Sequence, residues 1–132
     1  MIGKFIVPSH QSLFERSLAA DANLDANIFA ELCAEDAVFQ IAALPEARGR
    51  EVIRQFLAGF FAQKLFTKLE HRLLEVYDSP EVLLYRAEAI YSLADGSTVV
   101  SPYVNRVLYR GELFGDYRVH IDPSPLFERA KG

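Results

Sequence analysis

Hydrophobic side chains recur at helical spacing along the first half of the chain. Leu13, Phe14 and Leu18 lie on one face of a predicted helix that opens at Pro8 and Ser9, with Ser9 as its expected N-cap. Asp25 predicts the start of a second helix, whose apolar stripe consists of Ile28, Phe29, Leu32 and Cys33. The third stripe is the clearest and ends near Lys64; it consists of Val52, Ile53, Phe56, Leu57, Phe60 and Phe61.

The hydrophobic period changes from helix to strand at Phe66. Residues 68–77, 82–93, 98–109 and 113–122 alternate as strands do, and Asp95-Gly96 is a hairpin signal between the second and third of them. Residues 36–44, ahead of Pro45, are typical of one more short strand. Three helices and a short strand before four long strands predict an α+β fold with an antiparallel sheet.

The strand 82–93 has apolar residues on both faces. One face carries Leu83, Tyr85, Ala87, Ala89 and Tyr91, and the other carries Leu84, Arg86, Glu88, Ile90 and Ser92. We expect the helices to cover one face and a second copy of the chain to cover the other, which predicts a homodimer.

Composition narrows the class of protein. A chain of 132 residues, with half of them hydrophobic, predicts one domain over 1–132. The net charge of −4 argues against nucleic acid and against anionic membranes. Cys33 is the only cysteine and no long apolar segment occurs, so a soluble, cytoplasmic protein is expected.

The histidines and glycines give no sign of a bound metal or nucleotide. His10, His71 and His120 are far apart in sequence, and no glycine-rich phosphate loop is present. His71 stands between Leu69 and Leu73 at strand spacing, which is more typical of a packed or surface histidine than of a catalyst. We therefore expect no metal and no cofactor.

The last strand carries the strongest candidate chemistry. Arg118, His120 and Asp122 share one face of it, because side chains alternate along a strand. His120 and Asp122 could exchange protons inside a cavity, or the three could form a solvated sheet face. The alternation alone leaves both interpretations open.

The order of these motifs resembles the nuclear transport factor 2-like superfamily, which includes SnoaL-like polyketide cyclases, ketosteroid isomerases and limonene-epoxide hydrolases. The residues that carry the resemblance are 32–39, 48–56, Asp95-Gly96, 103–105 and 117–123. The resemblance implies a cone-shaped, curved antiparallel sheet wrapped around a long helix, and dimers formed through the outer sheet face. It also implies a largely apolar pocket for a small-molecule ligand, lined by residues that include Phe56, Phe60, Tyr103 and Asn105.

The chemistries within this superfamily place different demands on the chain. Ketosteroid isomerase activity is not expected, because the position of its carboxylate base falls on Ile41 and that of its tyrosine on Ser17. The SnoaL-like cyclases resemble this chain at Asp122, with His120 on the same face. The limonene-epoxide hydrolases resemble it at Asp122 and at Arg86-Ala87-Glu88, although a glutamate replaces their aspartate.

Two classes of function follow from the resemblance. One is a cofactor-independent isomerase, cyclase or hydrolase in which Asp122, His120, Arg86 and Glu88 perform acid–base chemistry. The other is a ligand-binding or accessory domain without turnover, in which Arg86 and Glu88 form an ordinary surface ion pair. Convergence of Asp122, His120 and either Arg86 or Glu88 on one cavity would favour the enzyme, whereas the same side chains pointing to solvent or to a subunit contact would favour the second class.

Overall fold

The computed structural model describes residues 2–131, and these form a mixed α+β fold, as predicted. The four helices within that range are Pro8–Ala22 (α1), Ala26–Glu31 (α2), Arg50–Ala62 (α3) and Ser124–Lys131 (α4). The six strands within it are Cys33–Ile41 (β1), Ala47–Arg48 (β2), Lys68–Asp78 (β3), Val82–Ser92 (β4), Thr98–Arg110 (β5) and Leu113–Ile121 (β6). None of these helices is long and apolar enough to cross a lipid bilayer.

All six strands belong to one curved sheet in the order β2-β1-β6-β5-β4-β3. Neighbouring strands are antiparallel except β1 and β6, which run parallel. The four long strands are antiparallel as predicted, and β1 joins the sheet parallel to β6. β1 is separated from β6 by the whole meander, so its direction is not fixed by a hairpin.

The element boundaries follow the sequence closely in the long strands and less closely near the second helix. Each of the four long strands begins where predicted and ends within one residue of the predicted end. Cys33, predicted to be helical, lies in β1, because its buried run suits a strand as well as a helix. The two-residue β2 and the terminal α4 were not predicted.

The two helix caps show one prediction confirmed and one corrected. Asp25 caps α2 and accepts a hydrogen bond from the Ile28 N–H at 3.0 Å. The N-cap of α1 is Val7 rather than Ser9, because Pro8 already occupies the first helical turn. Val7 has no capping side chain of its own, and Asp78 of β3 accepts from its N–H instead.

Asp78 belongs to a compact group that we call the edge cluster, made of His10, Asp78 and Tyr109. The Asp78 side chain is 0% exposed and accepts from the backbone N–H groups of Ile6 and Val7 at 3.2 and 3.3 Å. Its carboxylate also contacts His10 Nδ1 at 3.1 Å and accepts from the Tyr109 hydroxyl at 2.9 Å. The His10 ring stacks on Tyr109. The edge cluster therefore fastens the start of α1 to the sheet.

The helices cover one face of the sheet and leave the other exposed. On the concave face, alternate residues of β4 and β5 such as Tyr85, Ala87 and Tyr103 are buried under the helices. On the convex face Leu84, Val100 and Val104 are exposed. A single chain thus leaves apolar side chains uncovered on the convex face.

Candidate functional site

A cavity of about 500 Å³ lies between the concave face of the sheet and the helices. Helix α3 forms one wall, and α4 contributes Leu126 and Phe127. Six phenylalanines line the cavity: Phe29, Phe39, Phe56, Phe60, Phe61 and Phe127. Its volume and apolar walls suit a small molecule of mainly hydrocarbon character.

Three polar side chains in the cavity wall form a continuous hydrogen-bonded chain, which we call the proton chain: Asp21, His71 and Tyr103. Asp21 lies near the end of α1, His71 on β3 and Tyr103 on β5. Asp21 Oδ2 is 3.0 Å from His71 Nε2, and His71 Nδ1 is 2.7 Å from the Tyr103 hydroxyl. All three line the cavity.

The direction of each hydrogen bond in the proton chain follows from the carboxylate. An ionised carboxylate only accepts, so we assign the hydrogen of the neutral His71 ring to Nε2, where it is donated to Asp21. Nδ1 is then an acceptor, and the Tyr103 hydroxyl donates to it. The lone pairs of Tyr103 Oη remain available for a proton from the cavity.

Burial fixes the protonation of the phenols around the cavity. Desolvation, together with the nearby Tyr85 phenol, raises the pKa of Tyr103 far above its usual value. Burial also raises the pKa of Tyr85 to about 12 and that of Tyr117 well above its usual range. These phenols therefore remain protonated at neutral pH, and Tyr103 can relay a proton but not act as a phenolate.

A second polar group in the cavity wall, the tyrosine–asparagine cluster, consists of Tyr85, Asn105 and Tyr117. Asn105 Nδ2 donates to Tyr85 Oη at 2.6 Å and, more weakly, to Tyr117 Oη at 3.3 Å. The two phenol oxygens are 2.8 Å apart. Asn105 Oδ1 is buried and has no hydrogen-bond partner among residues 2–131. The cluster lies beside the proton chain, since the Tyr85 and Tyr103 rings meet edge to face.

The four side chains expected to be catalytic do not converge on this cavity. Arg86 and Glu88 lie on the convex face, where Arg86 donates to Glu75 at 2.7 Å and Glu88 pairs with Arg72. His120 is exposed at the end of β6. Arg86, Glu88 and His120 were expected to share an interior site with Asp122. That expectation was wrong, because side chains alternate between the two faces of a strand and these three lie on the face opposite the cavity.

Because side chains alternate along β6, the opposite face of this strand is the one that lines the cavity. Tyr117, Val119 and Ile121 line it, so His120 and its face point outward. Asp122 is exposed, and its Oδ1 accepts from the Ser124 backbone N–H at 3.0 Å, at the start of α4. This hydrogen bond holds the pKa of the Asp122 carboxyl below its usual value. A carboxylate so placed caps a turn.

The structure brings together the four residues that were expected to bind ligand. Phe56, Phe60, Tyr103 and Asn105 all line the cavity. Their contact with a ligand stays a prediction.

The contact between Asp21 and His71 was not predicted from the sequence. The signal for His71 was present, because a lone histidine between Leu69 and Leu73 at strand spacing belongs to an otherwise apolar face. Asp21 had no local signal. Its position depends on how α1 packs against β3, and only the tertiary structure brings it to His71.

The chemistry of the described side chains gives no candidate metal centre. Within residues 2–131, no group of three or more histidine, cysteine, aspartate and glutamate side chains could hold a metal ion. Cys33 is buried, and desolvation raises the pKa of its thiol to about 12. It therefore stays protonated and serves as a small apolar side chain.

The model of the SnoaL-like domain family matches residues 14–117. Among curated protein sequences, no relative matches this chain.

Three solved structures show similar folds at low sequence identity. A hypothetical protein from Catenulispora acidiphila with a ketosteroid isomerase-like fold, in complex with trimethylamine, is 16% identical (TM-score 0.77; 90% of this chain and 92% of that chain covered). An LEH-like epoxide hydrolase of M. tuberculosis is 13% identical (TM-score 0.72; coverage 91% and 87%). TerC, co-crystallised with polyporic acid, is also 13% identical (TM-score 0.76; coverage 94% and 99%). At these identities the likeness shows the fold alone.

Proposed function

This chain belongs to the SnoaL-like domain family of the nuclear transport factor 2-like superfamily, and we propose that its cavity binds a small, largely apolar molecule and transfers a proton to or from it without a cofactor. The observation that carries the proposal is the proton chain, which runs from a carboxylate to a hydroxyl in the cavity wall. Two proteins of similar fold were crystallised with small molecules, trimethylamine and polyporic acid, which supports a small-molecule ligand.

The proton chain can act as a base through two coupled transfers. Tyr103 Oη accepts a proton from the ligand while its own proton passes to His71 Nδ1, 2.7 Å away. The resulting imidazolium lies next to the Asp21 carboxylate, which stabilises its charge. The reverse sequence returns a proton to the ligand at another atom. Isomerisation, cyclisation and epoxide opening all require such proton transfers.

The position of the proton chain favours this chemistry inside the cavity rather than on the surface. The Asp21 side chain is 19% exposed, so the Asp21–His71 pair is largely shielded from bulk water without being closed off from the cavity. The apolar walls around it exclude most water, and charge interactions are stronger there than in bulk solvent.

Proton exchange with a simple ketone tests the proposal. The probe is 2-tetralone in D₂O, and the measurement is the loss of its C1 proton signals by NMR. We expect the protein to accelerate exchange, and His71→Gln to reduce that acceleration by roughly 100-fold or more. His120→Gln is the matched control, because it makes the same substitution at an exposed histidine, and it should exchange at the parental rate. Equal acceleration by all three proteins would exclude His71 as the base.

A non-catalytic ligand-binding role is the second candidate, and one observation favours it. The three side chains matched to catalytic positions of related enzymes, Asp122, Arg86 and Glu88, lie outside the cavity, and so does His120. This role predicts that 2-tetralone binds, as seen by a shift in Tm, without faster exchange of its protons in any variant.

We also propose that two copies of the chain associate through the convex face. The exposed Leu84, Val100 and Val104 support this, because a monomer would leave them in water. Val104→Lys should give monomers in sedimentation velocity at micromolar concentration. Val52→Lys, at an exposed valine on α3, is the control and should leave the dimer intact. A parental protein that sediments as a monomer would contradict the proposal.

A further inference from the structure

The tyrosine–asparagine cluster is left with unused hydrogen-bonding capacity. Its phenols have two hydrogens between them, and one of these lies in the hydrogen bond between Tyr85 and Tyr117. Asn105 Nδ2 donates to both phenol oxygens. The other phenolic hydrogen therefore has no acceptor among these contacts, and the Asn105 carbonyl oxygen has no donor.

Such capacity is costly in a buried position. Asn105 is 3% exposed, and Tyr85 and Tyr117 are also buried. An unpaired polar atom in this setting has lost its hydrogen bonds to water and gained none in the protein, which destabilises the folded state. The two unpaired groups are one donor, a phenolic hydrogen, and one acceptor, the Asn105 carbonyl oxygen. Both belong to the same small group of side chains, so a single partner that can accept and donate could satisfy them.

From this matched pair we infer that the tyrosine–asparagine cluster is a recognition subsite for a hydroxyl group on an otherwise apolar ligand. The ligand oxygen accepts from the spare phenolic hydrogen, and the ligand hydrogen is donated to Asn105 Oδ1. The ligand class is an aromatic or alicyclic alcohol or phenol, because the rest of the cavity offers mainly phenylalanine side chains. Recognition of a hydroxyl rests on the ligand-binding function that we propose for the cavity.

The subsite also sets where the reacting atom lies. Tyr103 and Asn105 are two residues apart on β5 and face the same side of the sheet. The Tyr85 and Tyr103 ring centroids are 5.9 Å apart. A ligand anchored by its hydroxyl at the cluster therefore presents the neighbouring part of its skeleton to the proton chain.

Three probes of nearly the same shape separate the two halves of the subsite. They are naphthalene, 2-methoxynaphthalene, which can only accept, and 2-naphthol, which can accept and donate. A purely apolar cavity binds naphthalene more tightly, because 2-naphthol must give up hydrogen bonds to water. With the subsite present, isothermal titration calorimetry should show 2-naphthol binding roughly tenfold more tightly than naphthalene, with the methyl ether between them.

Variants connect that preference to the cluster. Asn105→Leu should bring 2-naphthol and its methyl ether to equal affinity. The triple variant Tyr85→Phe/Asn105→Leu/Tyr117→Phe, an apolar replacement of similar shape, should reverse the order in favour of naphthalene. Tyr91→Phe removes a hydroxyl from another residue of the cavity wall, outside the cluster, and should keep the parental preference.

The outcomes separate this inference from the proposed function. Equal binding of naphthalene and 2-naphthol by the parental protein would overturn the subsite while leaving the cavity a ligand site. A preference for 2-naphthol that survives the triple variant would also overturn it. Absence of binding by all three probes would instead count against the ligand-binding function, and the subsite would fall with it.

Discussion

The edge cluster and the proton chain are built from the same three residue types, yet they differ in what they can do. Each contains one aspartate, one histidine and one tyrosine. In the edge cluster the aspartate is central and accepts from every neighbour. In the proton chain the histidine is central and joins the other two.

The difference lies in which atoms are left free. The Asp78 carboxylate is fully buried, and its acceptor sites are taken by two backbone N–H groups, His10 and Tyr109. The proton chain ends in Tyr103 Oη, which lines a cavity. A saturated cluster stabilises the fold, whereas a chain with one open end can exchange a proton with a ligand. Residue type alone therefore does not distinguish structure from chemistry.

The largest expected effect is on stability at the edge cluster. Asp78→Asn places an amide nitrogen among donors and removes the charge that they share. The free energy of unfolding should fall by about 3 kcal/mol, measured by urea denaturation. Asp36→Asn, at an exposed ion pair with Arg110, is the matched control and should change it by under about 0.5 kcal/mol. A loss at Asp78 no greater than the control would contradict the structural role.

Alkaline pH should weaken both clusters through their tyrosines. Burial raises the pKa of Tyr103 and of Tyr109, and Asp78 adds to the rise at Tyr109. The folded state therefore keeps these protons while the unfolded chain loses them above pH about 10. Stability is fully present below that pH and falls above it, by up to about 1.4 kcal/mol per pH unit for each buried tyrosine. Urea denaturation from neutral pH to pH about 11 should show a shallower decline for Tyr103→Phe.

At the proton chain the same aspartate substitution should have a smaller effect on stability. Asp21→Asn replaces a charged hydrogen-bond acceptor with a neutral one at a partly exposed position, so we expect a loss of about 1 kcal/mol. Its effect on 2-tetralone exchange should be much larger, because the imidazolium loses its counter-charge. A stability loss equal to that of Asp78→Asn would show that the two clusters do not differ as described.

The smallest effect is expected at the convex-face ion pairs. Glu88→Gln breaks an interaction with Arg72, whose side chain is mostly exposed, and should change the free energy of unfolding by under about 0.5 kcal/mol. Exchange of 2-tetralone should not change. A large loss of exchange activity in this variant would instead support the catalytic position that the resemblance to epoxide hydrolases assigned to Glu88.

The sequence predicted the fold better than the site, for a physical reason. Alternation along β4, β5 and β6 follows from local geometry, so strand positions and the sharing of faces could be predicted within a residue. Which face becomes the interior depends on where the helices pack. His120 and Asp122 were predicted to share one face of the last strand, but β6 ends at Ile121, and the helices cover the face of Tyr117. Asp21 and His71 meet only across α1 and β3, a contact that no spacing reveals.

The parallel pairing of β1 with β6 has a consequence for how the chain folds. It places Cys33 beside Phe114, so an early strand finds its partner only after nearly the whole meander has been made. Contacts of such high sequence separation slow folding, because a long loop must close before they form. During synthesis β1 therefore emerges well before its partner, and its apolar residues depend on the early helices for cover until β6 arrives. The cavity wall cannot be complete before these last elements are in place, since β6 and α4 both contribute to it.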